Sequence, residues 1–136
     1  MRFLLDTNVV SELRKPKPHQ GVVRWLEAIG PLDFAVSVFS FAEMQQGVEL
    51  TRKQDPGKAA EIDRWLDELG DSVKVLDVDL EACRLWARLM CGKPSHLRED
   101  GLIAAVALVN GLTVATRNVK DFVPFAVKLI NPFEQA

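Results

Sequence analysis

The sequence predicts an α/β fold, a three-layer sandwich around a mainly parallel five-stranded sheet. Three observations predict it. Short apolar runs of strand length alternate with longer segments whose apolar residues recur at helical spacing, the order that places crossover helices between parallel strands. The runs ending at Leu5 and Ala115 give way at once to Asp6 and Thr116, as when buried strands deliver polar groups to one sheet edge. The 136 residues and 48% hydrophobic content fit one domain, residues 1–136, with a core of ordinary size.

Arg2–Leu5 reads as the first strand. Thr7–Arg14 reads as a short helix stopped by Pro16 and Pro18, since proline cannot continue a helix and restricts the residue before it. Val22, Val23, Trp25, Leu26 and Ile29 form a helical stripe closed by Gly30-Pro31, and Phe34–Val36 follows as a strand. A helix over Val38–Arg52 precedes the turn signal Asp55-Pro56-Gly57. Ile62, Trp65, Leu66 and Leu69 then mark a helix ended by Gly70, and Val73–Leu76 is the third strand. Ala82, Leu85, Trp86, Leu89 and Met90 share one face of the next helix, before a loop over Gly92–Leu97. Glu99–Asn110 is apolar nearly all round, the pattern of a buried helix, with Gly111 as its stop. Leu112–Ala115 and Val127–Ile130 complete five strands, with no internal repeat or low-complexity segment.

A net charge of −2 provides no global basic footprint, so any nucleic-acid contact has to be local. Cys83 and Cys91, eight positions apart on one helix, would have Cα atoms roughly 12 Å apart, too far for a disulfide. They read as reduced core residues of a cytoplasmic protein. No apolar stretch reaches membrane-span length and the N-terminus lacks a signal-peptide pattern, so neither a membrane nor secretion is expected.

Four acids stand at element edges: Asp6 after the first strand, Glu43 and Asp100 near helix starts, and Asp121 beyond the fourth strand. Crowded carboxylates repel by roughly 4 kcal/mol per pair at 4 Å with an effective dielectric of 20, so such a cluster points to a hard cation that holds it. Each acid also has a structural explanation. Asp6 fits a helix N-cap. An aspartyl-phosphate nucleophile also follows a first strand, but Asn8 stands where that chemistry resembles Asp-x-Asp and so lacks the general acid. Ser40-Phe41-Ala42-Glu43 matches a capping box, whereas a cap at Ser37 puts Glu43 in the second turn with its carboxylate free. Glu99-Asp100 suits a helix N-terminus, with Asp100 on the apolar side and Glu99 toward solvent. Thr116–Asp121 is either a polar turn or a set of polar and cationic groups at the edge that carries Asp6. His19 and His96 lack partners at ligand spacing and read as surface residues.

Leu4-Leu5-Asp6-Thr7-Asn8, Glu43 followed by Gly47, Asp100-Gly101-Leu102-Ile103-Ala104-Ala105 and Thr116-Arg117-Asn118-Val119-Lys120-Asp121-Phe122 together resemble PIN-domain ribonucleases. They look most like the VapC toxins of toxin–antitoxin pairs, including the FitB-like branch. The resemblance runs through nearly the whole chain in order. It implies a PIN-like fold and a Mg²⁺- or Mn²⁺-dependent endoribonuclease that hydrolyses RNA with water. It also implies Asp6, Glu43 and Asp100 as the principal metal ligands, with Asn118 or Asp121 completing the site. Relatives often have Thr-x-Asp where this chain has Thr116-Arg117-Asn118, and an uncharged residue where it has Glu99. The expected partners are a cognate antitoxin of the VapB or FitA kind, an RNA substrate and a second copy of the chain in a homodimer, or a larger toxin–antitoxin assembly. Arg14, Lys15, Arg98 and Arg117 flank the acids and are the expected RNA contacts. The rival function is a non-catalytic partner-binding module on the same fold.

Overall fold

The computed structural model describes residues 1–134, so the end of the expected 1–136 domain lies outside the described residues. Strands β1 (Phe3–Leu5), β2 (Phe34–Ser37), β3 (Lys74–Leu76), β4 (Thr113–Ala115) and β5 (Leu129–Ile130) form one sheet in the order β3-β2-β1-β4-β5. Every pairing is parallel. The central strands are buried on both faces, which is why they read as continuous apolar runs rather than alternating ones.

Successive residues along β1 point to opposite faces of the sheet, and each face builds its own core. Leu5, Val36 and Ala115 pack with Val9, Val22, Val48 and Leu66 under α1 (Thr7–Glu12), α2 (Gln20–Ile29), α3 (Val38–Arg52) and α4 (Pro56–Ser72). Leu4, Ala35 and Val114 pack on the other face with Ala82, Ile103, Val106, Phe122 and Phe125, from α5 (Leu80–Met90), α6 (Arg98–Asn110), α7 (Val119–Phe122) and the 3-10 turn after it. From β1 the chain winds outward through β2 and β3, then returns to β1's other side with β4. The C-terminal ends of β1 and β4 therefore flank the switch in winding direction, where open α/β sheets bind ligands.

Several elements differ from expectation for identifiable reasons. Helix α1 ends at Glu12 rather than Arg14, where the buried Glu12 carboxylate takes the His19 N–H at 2.9 Å and the Lys15 amine at 2.8 Å. Asp55-Pro56 is the start of α4, not a turn: Asp55 accepts the Lys58 N–H at 3.1 Å and Pro56 occupies the first turn, where its missing N–H costs nothing. That helix continues past Gly70 to Ser72. Helix α7 went unread because its polar residues mask the spacing of Val119, Phe122 and Phe125; the last two are buried. Cys83 and Cys91 are both exposed, correcting their assignment to the core. Cys83 follows the buried Ala82 and so turns away from its face, while Cys91 lies just past the end of α5. His19 is half-buried, not a surface residue: Nδ1 caps α2 by accepting from the Gly21 and Val22 N–H groups at 3.1 and 3.4 Å. His96 is exposed, as expected. No described helix is long and apolar enough to cross a membrane.

Gly101 sets how closely α6 approaches its neighbours. A Cβ there would lie 2.8 Å from Met90 Sδ and 3.0 Å from Phe125 Cζ. The methionine end can move, but the Phe125 ring is buried. Overpacking of this kind costs about 1–3 kcal/mol, against a helix-propensity gain near 1. Gly101→Ala should therefore lower the urea midpoint, by roughly 1 kcal/mol net. A raised midpoint would show that Met90 and Phe125 yield freely.

Candidate functional site

Asp6 is the residue after β1 and Thr116 the residue after β4, so the parallel register Leu5↔Ala115 brings them side by side at the switch point. The Thr116 hydroxyl donates to Asp6 Oδ2 at 2.8 Å and receives the Asn118 N–H at 2.9 Å. Asn8 Nδ2 adds a bond to Oδ2 at 3.1 Å, and the Thr7 N–H donates to Oδ1 at 2.8 Å. Asp6 is thus the N-cap of α1 and also a buried carboxylate held by two side chains. Burial pushes its pKa up, and the Thr116, Thr7 and Asn8 bonds oppose that rise.

Ser37 caps α3 by accepting the Phe39 N–H at 3.1 Å, which excludes the capping box and leaves Glu43 in the second turn. The Thr7 hydroxyl donates to Glu43 Oε1 at 2.7 Å and lies 2.9 Å from the buried Ser40 hydroxyl, tying α3 to α1 beside Asp6. Burial raises the Glu43 pKa, the Thr7 bond lowers it, and the charges of Asp6 and Glu99 raise it further.

Asp100 lies in the first turn of α6 and is half-buried, while Glu99 is exposed, as their positions predict. Its pKa is pushed up to about 7, first by burial and then by the charges of Asp6, Asp121, Glu43 and Glu99. An acid at a helix N-terminus is normally favoured in its charged form. Here the direction is reversed, so burial and like charge outweigh the helix. Four acids from four parts of the chain, Asp6, Glu43, Asp100 and Asp121, thus share one electrostatic neighbourhood at the sheet edge. Glu99 joins them from the solvent side.

The remaining predicted residues are placed as follows. Asp121 is half-buried in α7, whereas Asn118 is exposed and joins the site through its backbone bond to Thr116. Arg14 lines a groove between α1, α3 and α4. Lys15 is paired with Glu12, the Arg98 guanidinium lies 6.0 Å from the Trp86 ring centre, and that of Arg117 stacks on Phe133 at 4.0 Å. Sequence reasoning missed the supporting groups Thr7, Asn8 and Ser40, and the pairing of Thr116 with Asp6. Ser40, three residues before Glu43 on one helix face, was the available signal. Thr116→Val keeps the shape and removes one donor from a buried carboxylate, which should destabilise the protein by about 1–3 kcal/mol in urea unfolding. An unchanged midpoint would mean that another donor replaces the hydroxyl.

The donor set is all oxygen, without thiolate or imidazole at the cluster, and so suits a hard divalent cation rather than zinc. Among the described residues, no three Asp, Glu, His or Cys side chains are arranged to hold one ion directly. Mg²⁺ keeps several of its waters and uses one or two carboxylates directly, so it does not require three such side chains at bonding distance. Asp6 and Glu43 are instead engaged by hydroxyl and amide donors.

A parallel sheet with an acidic cluster at its switch point defines a class of α/β protein with a polar, oxygen-lined site. The chain belongs to the PIN-domain family, in its VapC toxin group: the PIN domain model matches residues 3–125. It is 33% identical to toxin FitB of Neisseria gonorrhoeae, covering 96% of this chain and 98% of that one. It is 36% identical to the VapC ribonuclease Y4jK of Sinorhizobium fredii, covering 98% and 99%. The structure of FitAB bound to an IR36 DNA fragment superposes with a TM-score of 0.84 at 31% identity, covering 98% of this chain and 97% of the matched one.

Proposed function

We propose that this protein is a Mg²⁺- or Mn²⁺-dependent endoribonuclease, the toxin of a type II toxin–antitoxin pair, acting as a single PIN domain in the cytoplasm. One observation carries the reading: Asp6, Glu43, Asp100 and Asp121 gather at the switch point, closely enough that the charges of the other three add to burial in raising the Asp100 pKa. A fold gains nothing from such repulsion unless a positive charge relieves it. The relatives named as a VapC ribonuclease and a toxin point to RNA as the substrate.

Asp6, Glu43 and Asp100 would hold the cation, directly or through water, with Asp121 completing the charge. Such a cation acidifies water and offsets charge on the phosphoryl oxygens. The chain's own groups do the positioning. Thr116, Asn8 and the Thr7 N–H fix the Asp6 carboxylate, and the Thr7 hydroxyl turns Glu43 toward α1. Asp121 is favoured over Asn118 as the fourth group because its charge reaches Asp100, while Asn118 contributes a backbone N–H. Arg14, Arg98 and Arg117, which flank the acids in sequence, are the RNA phosphate contacts of this reading; Lys15 is the weakest of the four because Glu12 engages it.

A cognate antitoxin of the VapB or FitA kind completes the reading, as the complex of the related FitAB does for that protein. The groove between α1, α3 and α4, about 240 Å³ and lined by Met44, Val48 and Trp65 together with the polar Thr7, Arg14 and Glu43, suits an amphipathic peptide beside the acids. A homodimer, alone or within a larger toxin–antitoxin assembly, is part of the same proposal. Cleavage of single-stranded RNA by the purified protein with Mg²⁺ or Mn²⁺, abolished by chelator, is the expected result. The rival, a non-catalytic module, draws support from the hydrogen bonds that already satisfy Asp6 and Glu43. Failure to cleave any RNA with either metal would favour it.

A further inference from the structure

We infer that Trp86 is a stacking platform for an unpaired RNA base beside the scissile phosphate, and so helps set which RNA is cut; the inference rests on the ribonuclease reading above. Trp25 and Trp65 pack against the core on one face of the sheet, but among the described residues Trp86 packs against neither core. Its indole is nonetheless fixed, because Nε1 donates to the Arg98 carbonyl at 2.9 Å and the Arg98 guanidinium lies near the ring. A half-exposed tryptophan held at its edge is pre-organised for a planar ligand.

The surroundings favour a nucleotide. Trp86 lines a cleft of about 580 Å³ together with Phe39, His96, Arg98, Glu99 and Leu102. Two aromatic rings, the Arg98 guanidinium and the His96 imidazole provide stacking, phosphate attraction and hydrogen bonding together, the combination by which proteins hold single-stranded nucleic acid. The cleft also leads to the acids. Phe39 and Glu99 line a second groove whose wall includes Glu43, and the charge of Glu99 acts on both Glu43 and Asp100. A strand whose phosphate sits at the cluster can therefore lay a neighbouring base against Trp86 and a backbone phosphate near Arg98. A protein partner would use the apolar rings equally well, but it would gain nothing particular from a guanidinium placed beside an acidic catalytic edge.

The test compares wild type, Trp86→Leu and Trp86→Phe on single-stranded RNA oligonucleotides that are intact or carry one abasic residue next to the cut on either side. Cleavage is measured with Mg²⁺, and binding by fluorescence anisotropy in chelator. Stacking on one aromatic ring corresponds to roughly five-fold to a hundred-fold in affinity. Trp86→Leu should lose about ten-fold in kcat/KM and in binding on intact RNA, with Trp86→Phe recovering most of it. On one of the abasic substrates wild type should fall to the level of Trp86→Leu, and the substitution should cost nothing further. An equal loss on intact and abasic RNA, or a loss that tracks weakened self-association in sedimentation, would overturn the inference by making Trp86 a packing or dimer residue. Wild-type cleavage with no Trp86 effect rejects the platform and leaves the ribonuclease reading standing. Absent cleavage with a base-dependent Trp86 effect on binding rejects the ribonuclease reading and overturns Trp86's part in choosing a cut, leaving it only as a platform that binds RNA.

Discussion

Asp6→Asn and Asp100→Asn are each expected to remove RNA cleavage, by roughly a hundred-fold or more, while leaving a folded protein. Groups that merely support a metal ligand are worth about 10–100-fold, so losing the charge of a ligand itself should reach at least the top of that range. The amide keeps the shape of the carboxylate. In Asp6→Asn the Thr7 N–H keeps an oxygen and the Thr116 hydroxyl can accept from the new amide, so only the Asn8 bond to this side chain is lost and the switch point stays closed. Circular dichroism checks the fold and a fluorescent RNA substrate checks the rate at saturating Mg²⁺. Asp121→Asn should show a partial loss, because Asp121 acts on Asp100 but lies further out on α7. Asn118→Ala should stay near wild type, since the bond that ties it to Thr116 comes from the backbone. Near wild-type cleavage by Asp6→Asn or Asp100→Asn would remove that residue from the ligand set. A severe loss in Asn118→Ala with none in Asp121→Asn would reverse the choice of fourth group.

What the sequence reveals of this site follows from how each contact is encoded. Asp6, Glu43 and Asp100 are legible because each closes or opens an element, and element edges are marked by local chemistry: a strand run before Asp6, a cap at Ser37 before Glu43, a buried helix after Asp100. The side the strands open to is legible too, since alternating strands and helices admit few parallel topologies. What binds the acids to one another is not local. The Thr116–Asp6 bond spans 110 positions and the Thr7–Glu43 bond 36, and nothing near any of the four residues announces the other. Exposed cysteines at 83 and 91 show a second limit, because a small apolar residue near a helical stripe reads as core until the helix's rotation and end are known. Helix α7 shows a third. Its single turn is too short for periodicity, and Phe122 and Phe125 hold it by burial against the core that includes Ile103.

Without metal, Asp100→Asn should melt higher than wild type at pH 8, and the difference should narrow to about half near pH 5.5. Asp100 is held at about 7 in the folded protein, above its ordinary value of 3.8, so the folded state binds its proton more tightly than the unfolded state does. A carboxyl raised in this way costs stability where it must ionise, above about pH 7. The cost is complete above that value, shrinks steadily as pH falls from 7 toward 4 because folding must then take up a proton, and is absent only below the unfolded value near 4. Wild type should accordingly gain stability on mild acidification, opposite to proteins whose carboxylates are paired. Asp100 is partly open to water, so the full shift is discounted to about 1–2 kcal/mol at pH 8. Loss of a favourable charge at the start of α6 opposes this by roughly 0.3–1 kcal/mol, less than the cost of ionising Asp100 at pH 8. The net gain for the variant is a few degrees, at roughly 4 °C per kcal/mol for a chain of this length. Added Mg²⁺ or Mn²⁺ should invert the order. A ligand at a hundredfold excess over its dissociation constant stabilises by about 2.7 kcal/mol, and wild type should receive that while Asp100→Asn receives much less. Thermal melts of both proteins at pH 5.5 and 8, with chelator and with metal, give all eight values. A variant that melts lower than wild type in chelator at pH 8 and gains as much from metal would make Asp100 a helix-terminus residue with no part in the site.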